Sequence, residues 1–107
     1  MGELKAHLPA YFMAKKRYRR PALDQLPRIY HELAERYQRR HPEARINLLE
    51  GVRIDLPERW CHVRASNTEP ILRLYAEATA PGEEEAFAEE IHREIEDILG
   101  TALPEVR

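Results

Sequence analysis

Between Arg45 and Ala78 the apolar residues recur at every second position. No other feature restricts the fold as much. Val52, Ile54 and Leu56 alternate with Arg53 and Asp55. Cys61 and Val63 alternate with Trp60, His62 and Arg64, and Leu72, Leu74 and Ala76 with Arg73, Tyr75 and Glu77. Successive side chains of a pleated strand point to opposite faces, so each run predicts a strand with one buried face. Ile46, Leu48 and Leu49 open the region, and Glu50-Gly51 and Pro57-Glu58 supply turns. Such short links cannot carry a crossover, so consecutive strands must pair antiparallel.

The flanks have a different period. Leu23, Leu26, Tyr30, Leu33 and Tyr37 recur at steps of three and four, which predicts an amphipathic helix to about Arg40. Asp24 is placed as its N-cap, with Pro27 in the first turn, where a missing N–H costs least. Arg36, Arg39 and Arg40 suit the negative end of the helix dipole, and Pro42 stops continuation. After Pro81-Gly82, Glu83–Glu85 open a second helix. Phe87, Ala88, Ile91, Ile95, Ile98 and Leu99 form its buried stripe, and Gly100 suits the C′ position.

Upstream, Phe12 to Tyr18 reads as one more strand. The basic cluster Lys15, Lys16, Arg17, Arg19 and Arg20 is read as charge that protects a sheet edge, in preference to an anion-binding arm. Only one aromatic residue, Tyr18, falls within the cluster, short of the row that a platform for single-stranded nucleic acid would need. Residues 1–11 are a lead-in segment, 12–100 the domain and 101–107, with Pro104, a loose tail. The element order is β-α-β-β-β-β-α. Two helices and a sheet, each with one apolar face, pack most economically as an α+β, two-layer fold with both helices on one face of the antiparallel sheet. Arg53, Asp55, His62, Arg64, Arg73 and Tyr75 then lie on the open face, with some cross-strand charge pairing among them.

Composition narrows the function. The 107 residues suffice for one domain. A formal net charge of −2 argues against a nucleic-acid partner. A single cysteine, Cys61, excludes an internal disulfide, and its alternation places it in the core. No run is long enough for a membrane span and no signal-peptide pattern opens the chain, so a cytoplasmic location is expected. His31 and His41 have no ligands at metal spacing, and Ser66 has no base placed to activate it. No cofactor and no catalytic set is expected in this chain.

The stretch Arg64-Ala65-Ser66-Asn67-Thr68-Glu69-Pro70-Ile71-Leu72-Arg73 gathers anion-binding groups into one turn. Arginine offers a planar fork for two phosphate oxygens, hydroxyls add adjustable donors, and turn N–H groups form a concave nest. Asn67 tolerates the left-handed backbone of a tight nest. In a hairpin, Arg64 and Arg73 would lie opposite each other on one face, with Glu69 free to orient an arginine. From spacing alone two readings stand: an anion grip through Arg64, Ser66, Asn67, Thr68 and Arg73, or a plain turn between surface arginines.

Gly51-Val52-Arg53-Ile54-Asp55, Trp60, Val63 through Pro70, Arg73 and Glu77-Ala78 closely resemble the C-terminal domain of the α-D-phosphohexomutases, the phosphomannomutases and phosphoglucomutases. The resemblance spans about Ile46 to Leu99, and the upstream strand and helix more loosely. It implies a TATA-binding-protein-like fold and a four-domain parent enzyme. That parent interconverts hexose 1-phosphate and hexose 6-phosphate through a phosphoserine and a bisphosphate intermediate, with Mg2+ in another domain. It implies that Arg64, Ser66, Asn67 and Thr68 contact the substrate phosphate and that Arg73 is the second arginine, a role that falls at the Tyr75 position in some members. Asn67 leans toward the phosphomannomutase/phosphoglucomutase branch, since phosphoglucosamine mutases commonly have glycine there. The phosphoserine, metal and sugar-selecting segments have no counterpart in these residues, so the chain alone is expected to be inactive. Its expected partners are a phosphosugar and the other domains of a parent mutase. The alternative is a stand-alone nucleic-acid- or protein-binding module using the basic cluster 15–20.

Overall fold

A computed structural model describes residues 12–106; the lead-in segment expected at 1–11 lies outside them. The order is β1 (Phe12–Arg19), α1 (Leu26–Arg40), β2 (Arg45–Asn47), β3 (Val52–Leu56), β4 (Arg59–Ala65), β5 (Ile71–Ala78) and α2 (Glu83–Leu99). The α+β order expected from the sequence is the one observed. The sheet is five-stranded and antiparallel, in the spatial order β1-β5-β4-β3-β2. Both helices cover one face. Val52, Ile54, Cys61, Val63, Leu72, Leu74 and Ala76 from the sheet meet Ile29, Leu33 and Tyr37 of α1 and Phe87, Ile91 and Ile95 of α2 in one core.

The start of α1 differs from the expectation. Leu23–Gln25 form a 3₁₀ turn, Gln25 takes the N-cap position, and no side chain caps the helix. Asp24 therefore falls one residue short of the cap. Leu23 is exposed, while Ile29 and Ala34 join the buried face and Tyr30 sits at its margin. The helical stripe is rotated toward Ile29 relative to the predicted one.

The tail is not loose. Leu103 is buried, its N–H donates to Glu96 Oε2 at 2.8 Å, and its carbonyl accepts from His92 Nε2 at 2.8 Å. The Arg19 N–H donates to the Pro104 carbonyl and the Val106 N–H to the Arg17 carbonyl, at 2.9 and 2.8 Å. Pro104 does not prevent extended pairing, and buried Leu103 together with these hydrogen bonds packs residues 103–106 onto the domain. The outer edge of β1 is thus covered at Arg17–Arg19, which removes the need for basic residues to protect it there.

Alternation also divides the basic cluster. Lys16 faces the helices and pairs with Glu85 of α2 at 3.0 Å, which raises its pKa. Lys15, Arg17 and Arg19 are exposed, in phase with one another.

The two helices are also joined by charge. Glu94 of α2 accepts from Arg36 and Arg40 of α1 at 2.8 and 2.9 Å, and Asp97 pairs with Arg36 at 3.0 Å. Burial pushes the Glu94 carboxyl upward, but the hydrogen bonds and charges of Arg40 and Arg36 outweigh it and hold the group below its ordinary value. The Tyr37 hydroxyl donates to Glu90 Oε2. Among the described residues no buried polar side-chain atom lacks a partner.

Candidate functional site

The site lies at one end of the open sheet face. Its geometry follows from the register of β1, β5 and β4. Arg64 of β4 is the direct Cα partner of Arg73 of β5. Directly opposed residues of an antiparallel pair project to the same face with Cβ atoms about 5 Å apart. The two arginines therefore stand opposite each other on one sheet face, as the hairpin spacing predicts. On its other side Arg73 is the Cα partner of Arg17. Three arginines thus stand in one row across β1, β5 and β4. The next row along is Lys15, Tyr75, His62 and Arg53. The row beyond is mixed, running Met13, Glu77, Trp60, Asp55 and Arg45, with two carboxylates to one cation. The face is thus polarised, with positive charge gathered at the hairpin end.

Opposed like charges are unfavourable unless something neutralises them. Two carboxylates do so in part. Glu50 Oε1 lies 3.3 Å from Arg64 Nη1, and Glu69 Oε1 lies 3.4 Å from Arg73 Nη2. Glu69 thus orients an arginine, as expected. All four side chains are substantially exposed, so these pairs are weak and exchangeable. On the rest of the face the charge pair runs along one strand, where cross-strand pairing was expected. Arg53 makes a bidentate contact with Asp55 at 3.0–3.2 Å and stacks over the Trp60 ring, while Trp60 Nε1 donates to Glu77 at 2.5 Å.

The hairpin turn between the arginines is held internally. Ser66 Oγ accepts the N–H groups of Thr68 and Glu69, each at 3.3 Å, and lies 3.5 Å from Thr68 Oγ1. The Ser66 N–H donates to the Ile71 carbonyl at 3.0 Å and closes the loop. The left-handed backbone allowed for Asn67 does not occur, since among the described residues only glycines have positive φ. The serine hydroxyl, not a backbone nest, collects the turn N–H groups. Asn67 and Thr68 are exposed, and Asn67 joins Arg64, Glu50, Gly51, Ala65 and Tyr30 around a groove of about 290 Å³. Of the five residues singled out from the sequence, Arg64 and Asn67 line this groove, Arg73 stands opposite Arg64 in the sheet, and Ser66 and Thr68 meet each other within the turn.

Four residues around the site were missed. Tyr30 was read as a core residue, and its ring is half-buried, but its hydroxyl reaches the loop and accepts the Ala65 N–H at 3.2 Å. Burial raises the Tyr30 pKa, and the Ala65 N–H partly offsets that shift. Its place at the margin of the α1 stripe was the available signal. Glu50 and Gly51 were read only as a turn. Gly51 has φ +73°, and a Cβ there would fall 2.0 Å from the Val63 carbonyl oxygen and 2.8 Å from the Arg64 Cβ. Only glycine allows this close approach, which also lets the Glu50 carbonyl accept from His62 Nε2 at 2.7 Å. Arg17 was assigned to edge protection because nothing local in the sequence reveals that β1 pairs with β5.

Among the described residues no three His, Cys, Asp or Glu side chains converge to hold a metal. Cys61 is fully buried, and burial pushes its thiol up to about 12, which suits packing and not nucleophilic chemistry. Among the described residues no helix is long and apolar enough to cross a membrane.

The chain is similar to known proteins in sequence and in fold. Residues 14–94 match the family model "Phosphoglucomutase/phosphomannomutase, C-terminal domain". A probable phosphoglucosamine mutase of Methanopyrus kandleri is 32% identical over 108 residues, which cover 100% of this chain and 22% of that protein. A phosphomannomutase/phosphoglucomutase of Pseudomonas syringae pv. tomato is 39% identical over 56 residues, 52% of this chain and 12% of that protein. The crystal structure of a phosphoglucomutase/phosphomannomutase family protein of Burkholderia thailandensis matches with a TM-score of 0.63 at 21% identity, covering 95% of this chain and 21% of that one. This last likeness concerns the fold alone. The chain spans about a fifth or less of these proteins. Because the family model covers most of it, this chain belongs to the phosphoglucomutase/phosphomannomutase family, as its C-terminal domain.

Proposed function

We propose that the β4–β5 hairpin holds the phosphate group of a hexose phosphate for a phosphohexomutase. Arg64 and Arg73 grip the phosphate oxygens from the two strands, while Ser66, Asn67 and Thr68 approach from the turn. The observation that carries this reading is the direct opposition of Arg64 and Arg73 at the mouth of a hydroxyl-rich turn. Two guanidinium forks side by side match a dianion with several acceptor oxygens. Glu50 and Glu69 occupy these forks in its absence and give way when it arrives.

The parent reaction would interconvert hexose 1-phosphate and hexose 6-phosphate through a phosphoserine and a bisphosphate. The Mg2+ that assists it would be held outside the residues described here. This domain would bind and orient the phosphate that is not reacting, and the bond-making groups would belong elsewhere. On this reading the chain by itself has no mutase activity. Both phosphoglucosamine mutases and phosphomannomutase/phosphoglucomutases occur among the relatives, so the sugar is left at the level of hexose phosphate. A nucleic-acid module has less support, because Lys16 of the basic cluster turns away to Glu85.

The test is an amide NMR titration of the chain with glucose 1-phosphate. Shifts confined to residues near 64–73 support the reading. An unperturbed hairpin at tens of millimolar ligand refutes binding by this domain.

A further inference from the structure

Arg17 has no part in the hairpin reading, yet it is the direct Cα partner of Arg73 on the strand opposite β4. Neighbouring strands lie about 4.8 Å apart, so Arg17, Arg73 and Arg64 span roughly 10 Å across the sheet. Lys15, Lys16, Arg17, Arg73 and Tyr75 border a second groove of about 230 Å³, on the far side of Arg73 from the groove at Asn67, and of these Lys16 spends its ammonium group on Glu85 at the helix face. Three cationic side chains and a phenol lining one groove are donors for an anion.

The ordinary explanation for such residues on a terminal strand is protection of an open edge. It does not apply at this point. The tail already covers β1 there, with the Val106 N–H on the Arg17 carbonyl and the Arg19 N–H on the Pro104 carbonyl. Glu105 pairs with Tyr18, on the helix side of the strand, so its carboxylate does not face Arg17. Placing Arg17 opposite Arg73 costs stability without serving the edge. The tail also fixes the Arg17 backbone from one side while β5 fixes it from the other, so the side chain starts from a rigid position.

We propose that Arg17 is a third arginine of the anion site, with Lys15 adding charge and Tyr75 a hydroxyl, so that a phosphate monoester is gripped across three strands. This rests on the hairpin reading, since Arg73 is the shared member. Each donor is a charge-assisted contact on a partly exposed face, so losing Arg17 weakens binding about fivefold or more.

Phosphate affinity is measured by NMR for the chain and for Arg17→Ala, Arg64→Ala and Lys16→Ala, together with thermal unfolding without phosphate. Lys16→Ala removes the same charge from the same strand on the other face and should stay within about twofold. Arg17→Ala should lose binding while its unfolding midpoint holds or rises, because a like-charge pair is relieved. In the unmodified chain the Arg17 Nε–H resonance should move with added phosphate. If Arg64→Ala loses binding while Arg17→Ala behaves as Lys16→Ala does, the extension to β1 is wrong and the hairpin reading stands. If Arg64→Ala binds as the unmodified chain does, the hairpin reading falls and the extension with it.

Discussion

Single residues set the geometry around the Arg64–Arg73 pair. Gly51 does so by having no side chain, because the carbonyl of Val63 lies where a Cβ would be. Gly51→Ala combines positive φ with backbone overlap and should cost more than about 2 kcal/mol, read as a lower urea midpoint. The displaced strand is the one that carries Arg64, so phosphate binding should weaken in the same variant. Glu50 acts in the opposite sense. Its carboxylate lies 3.3 Å from Arg64 Nη1, where on the proposed reading it competes with the phosphate. Glu50→Gln should tighten phosphate binding by about two- to fivefold, in keeping with an exposed ion pair of under about 1 kcal/mol. A calorimetric titration of the two forms reads that ratio directly. The arginines of the hairpin were legible in the sequence because strand alternation and a short turn bring them together. Tyr30, Glu50 and Arg17 were not, because each reaches the site from an element far away in the chain.

At the level of elements, local pattern determined type, and tertiary contact determined the ends. The strands and both helices follow from their periods, since burying one face demands that spacing. The start of α1 did not follow, because a 3₁₀ turn moved the cap past Asp24 to Gln25. Nor did the tail, whose order comes from Leu103, Glu96, His92 and the edge of β1. Removing residues 103–107 should cost about 2–4 kcal/mol for the buried leucine and the lost hydrogen bonds. Hydrogen exchange should show the Arg19 amide losing protection in the shortened chain, whereas a tail that contributes nothing would leave it unchanged. The α1–α2 contact has its own pH signature. The Glu94 carboxyl is held below its ordinary value in the folded state, so its contribution is present above pH about 4.5. It is lost as the pH falls through the lowered folded value. Glu94→Gln should flatten the acid limb of the stability profile measured by urea unfolding.

For the whole molecule, the fold is a polarised platform. One face is consumed by the helices and the core. The open face runs from three aligned arginines at the hairpin end to Glu77, Trp60 and Asp55. The fold class was readable because alternating strands with short turns and two one-sided helices leave few ways to bury their apolar faces. The polarity was not, because it depends on which strands become neighbours, and β1 reaches β5 only in the finished sheet. Binding by opposed arginines should be cooperative, since each fork needs the phosphate that the other holds in place. A double-mutant cycle on Arg64 and Arg73, read as inorganic phosphate affinity, tests that claim most directly. A shared clamp predicts that either alanine variant loses most of the binding and that the double variant loses little more, a coupling above about 1 kcal/mol. Losses that add to within about 0.3 kcal/mol, or no loss in either single variant, would contradict it.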